Sequence, residues 1–172
     1  MQTFVTETIT RTALAAGLPE GRIIDLAKKD NLTIERPRIE VQFLPEKYTH
    51  TGRKLAVTRT KTEHIRKREL YEVEQTVNAN ILADDRAWLE AFCVDFVAGL
   101  PRGGNDSRGN WVKVLAQKAA FYRPPDKRVG DEVIEVFSRV NRLYTLTFTG
   151  RITAEETEEL ITSHTINPII KT

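Results

Sequence analysis

Residues 83–101 read ADDRAWLEAFCVDFVAGLP. Within them Trp88, Leu89, Phe92, Cys93, Phe96, Val97 and Leu100 recur at the spacing of a single helical face. Asp84 and Asp85 stand where an N-cap and a first-turn acid belong, against the positive end of the helix dipole. Gly99 and Pro101 supply a stop, read as a left-handed glycine cap followed by a residue that cannot continue the helix. An apolar stripe of this width needs a sheet beneath it, and strand-like segments flank it on both sides.

Upstream, residues 2–17 predict a helix with a weak stripe of Phe4, Val5, Ile9, Thr12, Ala13 and Ala16. Its threonines lower helix propensity, so the expectation is a frayed or partner-stabilised helix. Arg22–Asn31 is open between a short strand at Ile23–Leu26 and one helical turn. From Pro37 the period changes to two: Ile39, Val41 and Phe43 alternate with Arg38, Glu40 and Gln42. Residues 46–54 read as a loop and Leu55–Thr60 as a short strand. Leu70–Leu82 is the clearest strand, with Tyr71, Val73, Val77, Ala79 and Ile81 on one side and Glu72, Glu74, Thr76, Asn78 and Asn80 on the other.

Downstream, Trp111–Tyr122 predicts a long strand with both sides partly covered. Residues 126–131 read as loop. Val133–Val140 and Leu143–Thr149 form an expected hairpin turning near Asn141, with Ile134, Val136, Tyr144, Leu146 and Phe148 inward. Thr153 and Glu156 have the spacing of a capping box, which predicts a short acidic helix to about Ser163. The tail TINPIIKT, 165–172, is apolar enough to want a neighbour. The expected fold class is therefore α+β: one domain, 1–172, with a mainly antiparallel sheet and its helices on one face. Within it lie an N-terminal helix and connector (1–35), a basic loop or hairpin region (46–68), and a C-terminal helix and tail (153–172).

Bulk properties narrow the classes. The chain has 172 residues, one cysteine and a net charge of +2. No internal disulfide is possible, which fits a reducing cytoplasm. No apolar run is long enough for a membrane span, and the first residues lack the basic-then-apolar pattern of a secretory signal. A molecule so near neutrality binds nucleic acid only through a local patch.

Chemistry-bearing patterns are sparse. Cys93 sits between Phe92 and Phe96 on the buried stripe, where a thiol packs rather than attacks. His50, His64 and His164 are scattered in polar segments without metal-ligand spacing. Ser107 has no nucleophile-elbow frame. Gly103–Gly104 lacks the ending of a phosphate loop. Asp84 and Asp85 are explained by a helix start. No catalytic, cofactor-binding or metal residue is expected.

Charge is the remaining signal. Lys47, Arg53, Lys54, Arg59, Lys61, Arg66, Lys67 and Arg68 form a basic region in which Glu46 and Glu63 are the only acids. Glu155, Glu156, Glu158 and Glu159 form its acidic counterpart. These two groups are the candidate interface residues, because a basic and an acidic patch on a near-neutral chain suit a head-to-tail contact between copies. Two unrelated solvated faces are the plainer alternative. A nucleic-acid-binding domain built on the basic region is another, although Tyr48 is the sole aromatic within it.

The element order, together with RPRIEVQFLPEKYTHTGRKLA (36–56), RAWLEAFCVDFVAGLPR (86–102), RGNWVKVLAQKA (108–119), KRVGDEVIEVF (127–137) and LYTLTFTGRIT (143–153), resembles the tail terminator proteins of long-tailed bacteriophages. The likeness is to a Mu-like or prophage branch. It implies a non-enzymatic virion protein without cofactors, assembled in the host cytoplasm and resident in the tail. Such a protein forms a hexameric ring on the tail tube, ends tube growth and presents a surface for head joining. Implied partners are further copies of the chain, the tail tube protein and the head–tail connector. DNA would only pass through the ring, with no small-molecule substrate and no membrane. A neck connector or completion protein is the neighbouring alternative. On this view residues 47–68 are a mobile loop region that orders against a partner.

Overall fold

A computed structural model describes residues 1–27, 34–60, 63–122, 127–129, 132–134 and 140–159. The chain divides into two compact units: residues 1–47 with 73–150, and residues 48–72 with 151–172. The fold is α+β, a mixed and mostly antiparallel sheet with the helices packed against it.

The first unit holds helix α1 (Gln2–Ala15), strands β1 (Ile23–Asp25) and β2 (Arg38–Phe43), and helix α2 (Arg86–Gly99). Between β2 and α2 come β3 (Lys47–Arg59) and β4 (Glu63–Ala83). After α2 come β5 (Gly103–Asn105), β6 (Trp111–Tyr122), β7 (Lys127–Val129), β8 (Glu132–Ile134) and β9 (Val140–Glu159). The main sheet runs β1-β2-β4-β9-β6-β5, with β3 also on β4; β7 and β8 pair separately. β1 and β2 are parallel; β2–β4, β6–β9 and β5–β6 are antiparallel.

The helical face read from residues 83–101 is the centre of the core. Leu89, Phe92, Cys93 and Phe96 are buried, and Phe92 stacks between Trp88 at 4.7 Å and Phe96 at 5.9 Å. Phe96 meets Tyr144 at 6.0 Å. Register explains the sheet's contribution. Ile39 is opposite Ile81 and Val41 opposite Ala79, so successive pairs on one face are apolar. Tyr144, Leu146 and Phe148 join them from β9, as expected. The ambiguous faces of β6 have a cause: pairing passes from Ala116–Leu146 to Lys118–Thr145, and the extra residue shifts the alternation. Ala116 and Ala119 thereby oppose Leu146 and Tyr144, two inward residues of the partner.

Several local expectations are corrected. Gly99 is not a left-handed cap, since it has no positive φ; the helix ends through extended Leu100, the conformation a residue before proline favours. Its lack of a side chain matters instead for helix packing, because a Cβ there would lie 3.3 Å from Thr12 Cγ2 on α1. Asp85 is the N-cap, accepting from the Ala87 N–H at 2.8 Å, whereas Asp84 faces Arg36 at 3.5 Å. The first helix is neither frayed nor awaiting a partner: Val5, Ile9 and Ala13 are fully buried in the core. Its threonines serve packing, with Thr8 and Thr12 buried.

Residues 46–54 are not a loop, because β3 begins at Lys47 and runs to Arg59 on β4. Backbone pairing is indifferent to how polar the side chains are, and Gly52, with φ of 58°, absorbs an irregularity inside the strand. Asn141 lies within β9, not at a turn, and Lys127–Val129 is a strand within the expected 126–131 loop. The acidic helix from Thr153 is overturned: β9 continues to Glu159. Val136, Ser163 and the 165–172 tail lie outside the described residues.

Candidate functional site

The second unit carries every candidate interface residue except Lys47, which ends the first unit. Its described strands are β3, the first half of β4 and the last part of β9. Among its described residues no apolar side chain is fully buried; Glu69, at 2% exposed, is the one buried residue. Three strands usually need an apolar face for stability. Among the described residues, backbone pairing and ion pairs join these strands.

The charges meet across β4 and β9. Arg66 reaches Glu158 at 3.1 Å, Lys67 reaches Glu155 at 3.2 Å, and Arg68 reaches Glu156 at 3.5 Å. His64 Nδ1 lies 3.6 Å from the same Glu158 oxygen that Arg66 holds. Arg151 Nε stands 3.3 Å from the buried Glu69 carboxylate. The Thr51 hydroxyl donates to the Glu69 carbonyl at 3.2 Å, tying β3 to β4. The same pairs explain why the capping-box signal lost. Thr153 and Glu156 satisfy a local pattern, but a strand lets three glutamates face three cations on the next strand.

The basic and acidic groups are therefore brought together within one chain, but only in part. Arg66, Lys67 and Arg68 pair with Glu158, Glu155 and Glu156. Lys47, Arg53, Lys54 and Arg59 lie exposed on β3 and make no ion pair among the described residues. Glu159 ends β9, and Lys61 lies outside the described residues.

Sequence reasoning missed the Glu69–Arg151 pair, since a glutamate in a basic run reads as solvated. It also missed an aromatic cluster: Tyr71 is met edge-on by Tyr48 at 6.4 Å and by His50 at 5.3 Å. Only β3–β4 pairing brings these residues together, so no spacing within either segment announces them.

Elsewhere, a groove of about 550 Å³ runs beside α2 and is lined by Cys93, Val97, Ala119, Arg142 and Tyr144, among others. Burial raises the Cys93 thiol above its ordinary range, against smaller lowering effects from Tyr144 and Arg142. Burial likewise raises the Tyr144 phenol, helped by neighbouring Cys93. Both groups are thus held neutral at physiological pH, the opposite of an activated nucleophile. Among the described residues no group of three His, Cys, Asp or Glu side chains could hold a metal ion, and no helix is long and apolar enough to cross a membrane. No protein-family model matches the chain, and no curated protein sequence matches it.

Proposed function

We propose that the chain is a structural assembly protein that closes into a ring of its own copies, caps the tube of a bacteriophage tail and offers a surface for head joining. The observation that carries this reading is the second unit: strands without a buried apolar side chain among their described residues, displaying Tyr48 at 54%, Val57 at 52% and Tyr71 at 38% exposure. Such an element contributes little to its own core and suits contact with another molecule. The helix-backed sheet of the first unit has a continuous apolar core, which gives the stiffness a ring subunit needs. In this reading the protein makes and breaks no bond, and its partners are further copies, a tail tube protein and a head–tail connector.

Native mass spectrometry of the purified protein, with electron microscopy of added tail tubes, tests it. The expected result is a closed oligomer, six copies by the likeness to tail terminators, seated on tube ends. A chain that stays monomeric at every concentration and leaves tubes uncapped overturns it.

A further inference from the structure

β3 is 13 residues long and pairs with β4 alone, so its second edge presents unpaired backbone donors and acceptors among the described residues. Such an edge is a template for another strand. Every residue of β3 except Leu55 is exposed. Lys47, Arg53, Lys54 and Arg59 give it four cations, and no acid lies between Lys47 and Arg59. Glu155, Glu156 and Glu158 face cations of β4 and Glu69 faces Arg151, and none of the four β3 cations makes an ion pair among the described residues. Exposed Val57 and Tyr48 add apolar contact along the same strand.

We propose that the open edge of β3 receives an extended acidic segment of a partner protein as an added strand. Main-chain hydrogen bonds supply the pairing, and the four cations select for negative side chains. The same cations exclude the simplest competitor. A second copy's β3, laid edge to edge, brings like charges together along its length and is repelled. Nucleic acid fits the site less well. Tyr48 and His50 meet Tyr71 at 85° and 78°, so the three rings turn edges to one another and do not form parallel platforms for bases. The inference concerns the β3 edge itself and holds whether or not the chain closes into a ring.

The test uses the full chain and three labelled probes. One is an extended peptide of about eight alternating Glu and Val residues, a usual strand length. The second is the same peptide N-methylated at every residue, which keeps the charge but blocks both strand edges and cannot form a ladder. The third is single-stranded DNA. Expected is saturable binding of the first peptide, weakened at least about tenfold by N-methylation and by Arg53→Glu with Lys54→Glu, and slowed amide exchange confined to β3. Arg53 and Lys54 are exposed and unpaired, and circular dichroism confirms that the double variant folds. Equal binding of both peptides reduces the site to a charge patch and overturns the proposal. So does DNA binding that exceeds peptide binding, or no peptide binding at low salt.

Discussion

Glu158→Lys is the sharpest perturbation of the second unit. The carboxylate holds Arg66 at 3.1 Å and lies 3.6 Å from His64. It is half-exposed, at 52%, with Arg66 at 33% and His64 at 12%. An exposed ion pair of this kind contributes about 0.2–1 kcal/mol. Reversal replaces attraction by repulsion of similar size, so the loss is about 0.5–2 kcal/mol. For a chain of this length that lowers Tm by roughly 1–8 °C, at about 2–4 °C per kcal/mol. Thermal melts of wild type, Glu158→Lys, Arg66→Glu and the double swap check it at about 0.05 M and 1 M salt. The double swap should recover most of the loss, and about 1 M salt should shrink every difference, because screening then acts within about 3 Å. The losses should also be independent of protein concentration, since the pair closes within one chain. No loss at low salt, or a loss that persists at 1 M salt, refutes the electrostatic account. A loss that grows on dilution shows that the charge acts between copies.

Other perturbations address other parts of the molecule. Phe96→Ala removes a fully buried ring that meets Phe92 and Tyr144, and should cost about 3–5 kcal/mol in denaturant unfolding. Gly103→Ala places a Cβ 2.5 Å from the Val112 carbonyl oxygen, a backbone atom that cannot swing aside, and should destabilise by about 1–3 kcal/mol, read as a lower denaturation midpoint. Arg151→Ala leaves the buried Glu69 carboxylate without its cation and should cost about 1–3 kcal/mol, while Arg151→Lys recovers part of it. The Cys93 thiol is raised in the folded state, so its contribution to stability is complete below the unfolded thiol's pKa and is lost as pH rises through the folded value. Stability should therefore decline on the alkaline side, and Cys93→Ala should flatten that decline; native alkylation should be far slower than alkylation in denaturant.

The first unit was largely legible because its signals are apolar and periodic. Residues 83–101 declare their helix through side chains that must be buried, and β2 and the second half of β4 alternate cleanly over residues that pair. Gly99 was misjudged because the glycine-proline spacing of a cap is also the spacing of a close helix crossing followed by a stop. The second unit was opaque for the opposite reason. With no buried apolar residue among its described positions, it has no hydrophobic period to read. Residues 46–54 look like loop because their strand state depends on β4, as in the Thr51–Glu69 contact 18 positions apart, and Thr153–Glu159 looks like helix because its strand partner lies roughly ninety positions earlier. The charges were visible as two clusters; that they neutralise each other in one chain was not.

That neutralisation constrains any assembly the protein forms. If Glu155, Glu156 and Glu158 were to hold a neighbouring copy, they would first release Lys67, Arg68 and Arg66. Exchanging an intrachain pair for an interchain pair of the same kind yields almost no net stabilisation, and association must still overcome lost translational and rotational freedom. The acidic group is therefore a poor driver of contact, whereas the unneutralised cations of β3 break no existing pair when they meet an anion. A contact with an acidic partner that survives reversal of all three glutamates, yet weakens when Arg53, Lys54 and Arg59 are reversed, is what this accounting requires. The reverse pattern, measured by native mass at matched concentrations, would return the contact to the acidic strand.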